Sequence, residues 1–387
     1  MGGWFKKLGL SLLVVVIAAG AFAVWKREEI ARLMAVNSLF AADRIVANFS
    51  HMDLAFLTVP LTTETGPPLP RGPVVPLPVR TDTWIADRAI TALMVLCDGR
   101  VTHESYHQGT GPDDLRISWS VAKSFLSLLT GQLLAEGTIK LDEPVVMHAP
   151  ELAGSAYDGT TLVDILQMES GVAFNEDYFD KSSDINRMGR IIALGGALDD
   201  FTAELTERDR QPGGDWKYVS MDTHVLGMVL RGATGRSIPD LMTERLLKPM
   251  GIGPAYFLTD GEGVAFVLGG LNMRTEDYAR MGLLVEQEGV LNARQIVSQD
   301  WIAQSTQPSA NTAPGELQYG FQWWMPPDAR PGEIMAIGLY GQYVYVDQTR
   351  AVVIAVNATD PQFREDAVRD EMIAMFRTIA AAQGPAS

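Results

Sequence analysis

The chain has 387 residues, 47% of them apolar, and a formal net charge of −16 at pH 7. That length holds a catalytic domain of about 300 residues plus an appendage. The acidic surplus disfavours both nucleic acid and an anionic lipid surface as partners, so no nucleic-acid partner is expected. The single cysteine, Cys97, excludes an intramolecular disulfide, and its place after Ala92-Leu93-Met94-Val95-Leu96 reads as a buried strand residue.

Lys6 and Lys7 precede an uncharged apolar run from Leu8 to Trp25, followed by Lys26 and Arg27. A run of about 18 residues is at the lower edge for a membrane-spanning helix and longer than the usual core of a signal peptide. It predicts a signal anchor over residues 1–25, with a single pass through the inner membrane and the remainder periplasmic. Ala21-Phe22-Ala23 leaves open a cleaved signal and a secreted product. Residues 26–56 carry Ile30, Leu33, Met34, Val36, Leu39 and Phe40 at helical spacing, which predicts an amphipathic helix. Prolines at 60, 67, 68, 70, 73, 76 and 78 then predict an extended, semi-rigid stretch over 57–79, so residues 26–79 read as an appendage with a linker.

The main domain is expected over residues 80–387, starting near Trp84. Ala92–Cys97, the turn Asp98-Gly99 and Arg100–Tyr106 predict a β-hairpin. Residues 124 to about 265 read as a mostly helical subdomain inserted between sheet strands. Strands near 318–325, 333–346 and 351–357 and a helix over 364–381 complete an α/β (α+β) fold, an antiparallel sheet flanked by helices.

Three segments carry chemistry. In Ile117-Ser118-Trp119-Ser120-Val121-Ala122-Lys123-Ser124, a serine and a lysine stand three residues apart at the mouth of an apolar run. On a helix these positions share a face, and a desolvated amine can serve as the base that activates a serine. The helix that follows is apolar nearly all round, so burial is expected to lower the Lys123 pKa. Its N-terminus would present the Ser120 N–H where an oxyanion develops. In Lys217-Tyr218-Val219-Ser220, Tyr218 stands on a loop entering a helix and can act as a proton shuttle. In Ala336-Ile337-Gly338-Leu339-Tyr340-Gly341, a glycine-rich edge at Gly338 lets a substrate approach the backbone.

With Ser120-Val121-Ala122-Lys123, Tyr218-Val219-Ser220 and Ala336-Ile337-Gly338 in that order, the chain resembles the serine β-lactamase and penicillin-binding-protein superfamily over roughly residues 80 to 380. It is most similar to the class-C-like esterase and amidase branch, which includes the nylon-oligomer hydrolases. The resemblance implies that Ser120 is the acylated nucleophile, with Lys123 and Tyr218 as its base and acid. It implies an oxyanion hole from the Ser120 and Leu339 amides, and a substrate contact from Tyr178 in the loop Asn175-Glu176-Asp177-Tyr178-Phe179-Asp180. Ser220 and Gly338 are further substrate-binding candidates. Two positions depart from the β-lactamase pattern: Ala336 replaces a cation that would help hold a substrate carboxylate, and Ser220 replaces asparagine. Arg274 is a nearby arginine that could substitute for that cation.

Rival motifs are weaker. His103-Glu104-Ser105-Tyr106-His107 matches the zincin pattern, but as the second strand of the hairpin it would separate the histidines by about 13 Å, at roughly 3.3 Å per residue. His224 is expected on a helix surface, and Trp323-Trp324 either lines an acyl pocket or packs in the core. The expected function is hydrolysis of a small-molecule carboxylic ester or linear amide, with no metal or organic cofactor. The alternatives are a D-amino-acid peptidase or penicillin-binding-type enzyme, and a catalytically silent membrane-anchored binding protein.

Overall fold

The structure is a computed structural model that describes residues 24–384 together with Leu13, Ile17 and Gly20. The apolar run expected as a membrane anchor therefore lies mostly outside the described residues. Among the described residues no helix is long and apolar enough to cross a membrane.

The elements follow in chain order. Helix α1 (Arg27–Asn37) leads through a short turn at Ile45–Asn48 to strand β1 (Leu57–Leu61). Helix α2 (Thr81–Asp87), β2 (Ile90–Cys97), β3 (Arg100–Tyr106) and β4 (Arg116–Ile117) come next, followed by α3 (Val121–Ala135). The helical stretch contains α4 (Asp184–Ala193) and α5 (Ser220–Thr234), and β5 (Ala255–Thr259) closes it. Then come β6 (Leu271–Met273), α6 (Thr275–Glu286), the two-strand pair β7 (Val290–Leu291) and β8 (Arg294–Gln295), β9 (Gln318–Tyr319) and β10 (Trp324–Met325). Strands β11 (Glu333–Gly338), β12 (Gln342–Asp347), β13 (Val352–Ala358) and helix α7 (Asp366–Gln383) end the fold.

A seven-stranded antiparallel sheet runs β3-β2-β13-β12-β11-β10-β9. The β2–β3 hairpin turns on Asp98 (φ 48°) and Gly99 (φ 68°), the paired positive angles of a tight turn matched to strand twist. Within the seven-stranded sheet, the interior strand β13 is buried at every residue because both sheet faces are covered. Leu93, Val95 and Ile354 pack with Trp84 of α2 and Phe376 of α7 on one face, while Met94, Leu96 and Val353 join the larger core with α3 and α6 on the other. A second antiparallel sheet runs β1-β5-β6-β4.

The N-terminal appendage is more integrated than its composition suggests. The single helix expected over 26–56 is broken, and residues 57–61 of the proline-rich stretch form an edge strand paired with β5. Pro60 is tolerated because an edge strand leaves one side unpaired. Phe49 and Met52 are fully buried, the Ile117 N–H donates to the Phe49 carbonyl at 3.0 Å, and buried Arg116 donates to the Val46 carbonyl at 2.7 Å. Residues 39–52 thus brace the strand that leads to Ser120.

Candidate active site

Strand β4 delivers the chain to Trp119, whose φ of 42° is unusual for a bulky residue, and Ser120 then caps α3 at φ −65°. Such strain persists only where the surroundings enforce it. Here the Ser118 N–H is held by the Leu271 carbonyl at 2.8 Å, and Ile117 is fully buried. Gly338, the last residue of β11, closes the turn from the other side. A Cβ at that position would sit 2.5 Å from the Ser118 carbonyl oxygen and 3.2 Å from the Ser120 nitrogen, so only glycine fits. The end of β11 therefore lies directly beside the Ser120 amide, with Leu339 following and the chain reversing at Tyr340 (φ 58°) and Gly341 (φ 85°).

Lys123, one turn along α3, is buried, and burial pushes its ammonium down to about 7 against the pull of nearby Glu176. It donates to the Leu268 carbonyl at 2.9 Å and to the Ser220 hydroxyl at 3.4 Å. The Ser120 hydroxyl lies close enough to the Tyr218 phenol to lower its pKa. Tyr218 also places its ring 5.5 Å from the Lys123 nitrogen, so serine, tyrosine and lysine meet as one cluster. Burial, with the Glu176 charge, holds the phenol above its ordinary range and so protonated. Trp324 of β10 stacks on the same ring at 5.5 Å and fixes its plane.

Sequence reasoning passed over Glu176, which looked like one more carboxylate in an acidic loop. Its side chain accepts from the Ser220 N–H and from the Tyr178 hydroxyl, the latter at 2.9 Å. Burial raises its carboxyl above the usual range, while the Ser220 amide and Lys123 pull it back. Glu176 thus ties the Tyr178 loop to the start of α5. Deeper on α5, Asp222 is fully buried, accepts from Ser170 at 2.7 Å and Tyr157 at 2.9 Å, and is pushed up to about 8 by burial.

A cavity of about 570 Å³ opens beside Ser120, within the size range of small-molecule sites. Ser120, Tyr178, Ser220 and Leu339 all reach its wall, so the candidates from four separate segments converge on it. Most of the remaining wall is apolar, from Trp119, Ile185, Met188, Phe266 and Phe363. Phe40 of the N-terminal segment joins it, stacked on Tyr340 at 5.0 Å.

Other expectations are settled by placement. His224 is buried rather than on a helix surface, and its Nε2 meets Asp199 at 2.8 Å, a carboxylate that Arg231 also grips at 2.8 Å. Its partner set is thus separate from Ser120. Trp323 is fully buried in the core, and Trp324 serves as the platform for Tyr218. Arg274 is committed to Asp277 at 2.9 Å and does not line the cavity. His103 lies in β3 and His107 just beyond it, yet both rings turn onto the Ser105 hydroxyl at 3.0 Å, closer together than the strand spacing implied. Among the described residues no three His, Cys, Asp or Glu side chains are grouped to hold a metal. Cys97 ends β2 only half-buried, and burial with neighbouring Asp98 raises its thiol pKa.

Comparison with known proteins gives a consistent picture. The family profile described as Beta-lactamase matches residues 85–376. The chain is 31% identical over 290 residues to the 6-aminohexanoate-dimer hydrolase of Paenarthrobacter ureafaciens, covering 70% of this chain and 74% of that protein. A solved structure from Bacillus anthracis superposes with a TM-score of 0.78 at 20% identity, covering 89% of this chain and 96% of the other. A family VIII carboxylesterase superposes with a TM-score of 0.60 at 13% identity, covering 81% and 99%. At these identities the two structures speak for the fold.

Proposed function

The chain belongs to the beta-lactamase family, and from that premise we propose that it is a serine hydrolase that cleaves a carboxylic ester or linear amide through an acyl-enzyme on Ser120. The observation that carries this reading is the cluster of half-buried Ser120 and Tyr218 with buried Lys123, from which Ser120 opens onto a largely apolar cavity. The similarity to a hydrolase of a linear amide supports the amide half of the proposal.

The roles proposed for these residues are as follows. Lys123, uncharged above about pH 7, removes the Ser120 proton as Oγ attacks the substrate carbonyl. The N–H groups of Ser120 and Leu339 stabilise the oxyanion at the start of α3. Tyr218, kept protonated by burial, passes its proton to the leaving oxygen or nitrogen and is reprotonated from Lys123. Water then releases the acyl group by the reverse relay. Tyr178, Ser220 and Gly338 border the substrate, with Glu176 fixing the first two.

Ser120→Ala tests this directly. Hydrolysis of a p-nitrophenyl ester should fall by roughly a thousandfold or more with the fold intact by circular dichroism, and a variant retaining over a tenth of the activity would remove Ser120 from the role.

We further propose that the Leu8–Trp25 run anchors the enzyme in the inner membrane with its catalytic domain in the periplasm. Recovery of the protein in washed membranes supports this, and a mature N-terminus after Ala23 by mass spectrometry would replace the anchor with a cleaved signal.

A further inference from the structure

We infer that the segment ahead of the family domain forms part of the substrate-binding wall, and that the site selects an ester or amide carrying a long apolar chain. This deepens the hydrolase reading and rests on it.

The family match begins at residue 85, yet Val36, Leu39 and Phe40 line the cavity that opens at Ser120. Phe40 is 46% exposed and is held there by ring contacts. It stacks on Tyr340 at 5.0 Å with an interplanar angle of 10°, meets Trp119 at 6.0 Å and crosses Phe49 edge-on at 6.3 Å. Trp119 and Tyr340 are the neighbours of Ser120 and Leu339, so the segment touches the reacting end of the cavity. Across from it, Ile185, Met188 and Ile192 project from one face of α4 into the same space.

Few polar groups of this wall are free to meet a polar chain. The Tyr178 hydroxyl is committed to Glu176, and the Asn186 amide donates to the carbonyls of Asp177, Tyr178 and Asp180. The cations at the wall, Lys181 and Arg190, are exposed, and Arg190 donates to the Lys181 carbonyl at 2.7 Å. Away from those two exposed cations, a polar chain lying along Phe40, Ile185 and Met188 would lose water without gaining a partner, whereas an apolar chain releases water from them.

The experiment is a chain-length series of p-nitrophenyl esters (acetyl, butyryl, octanoyl and dodecanoyl) with the full chain and with Val36→Trp and Phe40→Ala. Val36 is half-buried and lines the cavity, so a larger side chain there reduces the space for a chain; loss of the Phe40 ring widens it. The wild type should favour octanoyl over acetyl by about tenfold or more in kcat/KM, since a single methylene in an apolar pocket can carry that factor. Val36→Trp should move the optimum to shorter chains, and Phe40→Ala should move it to longer ones. A flat profile in the wild type, or an optimum unmoved in both folded variants, overturns this inference while leaving the hydrolase reading intact. Absence of turnover for every ester, together with no covalent labelling of Ser120, overturns both.

Discussion

At the scale of single residues, the decisive feature is a lysine that burial holds near neutrality. Lys123 has no carboxylate hydrogen-bonded to it; its direct partners are a carbonyl and a hydroxyl, which do not restore the stability of the charged form. Its ammonium therefore loses a proton at about pH 7. The sign for catalysis follows: the neutral amine is the base, so kcat/KM should fall about tenfold per unit below pH 7 and level off above it. A rate independent of pH between 5 and 8 would show that Lys123 is not the titrating base. Tyr218→Phe should cost roughly a hundredfold, because the ring remains stacked on Trp324 while the transferable proton is lost. Wild-type turnover by that variant would make the tyrosine a packing residue only. Helical spacing pointed to Ser120 and Lys123 because helix geometry is local and repeats, whereas Tyr218 was read from its loop position and Ser220 from the family resemblance. Glu176 was not legible, since Asp177 and Asp180 in the same loop look equivalent on paper. Only the fold distinguishes the one carboxylate that turns inward to the Ser220 amide.

At the scale of elements, the site depends on β11 lying against the turn before α3. The contact is so close that a side chain at Gly338 would collide with the Ser118 carbonyl oxygen. Gly338→Ala should push Leu339 away from Ser120 and lower kcat by about a hundredfold, the scale of losing an oxyanion donor. The readout is kcat against KM for a short ester, and unchanged kcat would detach Leu339 from the oxyanion hole. The hairpin, the late strands and the last helix were readable because alternation and turn chemistry are properties of short windows. The N-terminal elements were not, since the prolines suggested a spacer and concealed an edge strand. Phe49 carries the clearest consequence: it is fully buried and its carbonyl receives the Ile117 N–H. Phe49→Ala should destabilise the protein by about 3–5 kcal/mol through the cavity it leaves. Denaturant unfolding that shifts by less than about 1 kcal/mol would mean that residues 39–52 are a loosely held appendage.

For the whole molecule, the distribution of charge around the cavity bears on which substrates are accepted. Ala336, the position at which the family resemblance implies a substrate-holding cation, is fully buried and uncharged, and Arg274 is paired with Asp277 away from the cavity wall. A charge-assisted hydrogen bond to a substrate carboxylate, worth about 1.5–3 kcal/mol, is therefore missing from this strand. The exposed cations Lys181 and Arg190 stand on the loop before α4 and on α4 itself instead. A p-nitrophenyl ester should exceed a chromogenic cephalosporin in kcat/KM by tenfold or more, roughly that energy expressed as a ratio. A cephalosporin value at or above the ester value would restore β-lactam hydrolysis as the activity.

All of these expectations presuppose that Ser120 becomes covalently acylated. The most direct measurement is intact-protein and peptide mass spectrometry after treatment with a fluorophosphonate. The account predicts a single adduct on the peptide containing Ser120, absent from Ser120→Ala and slowed below pH 7 as Lys123 gains its proton. An adduct on another residue, or none on a folded protein that still hydrolyses esters, would contradict it.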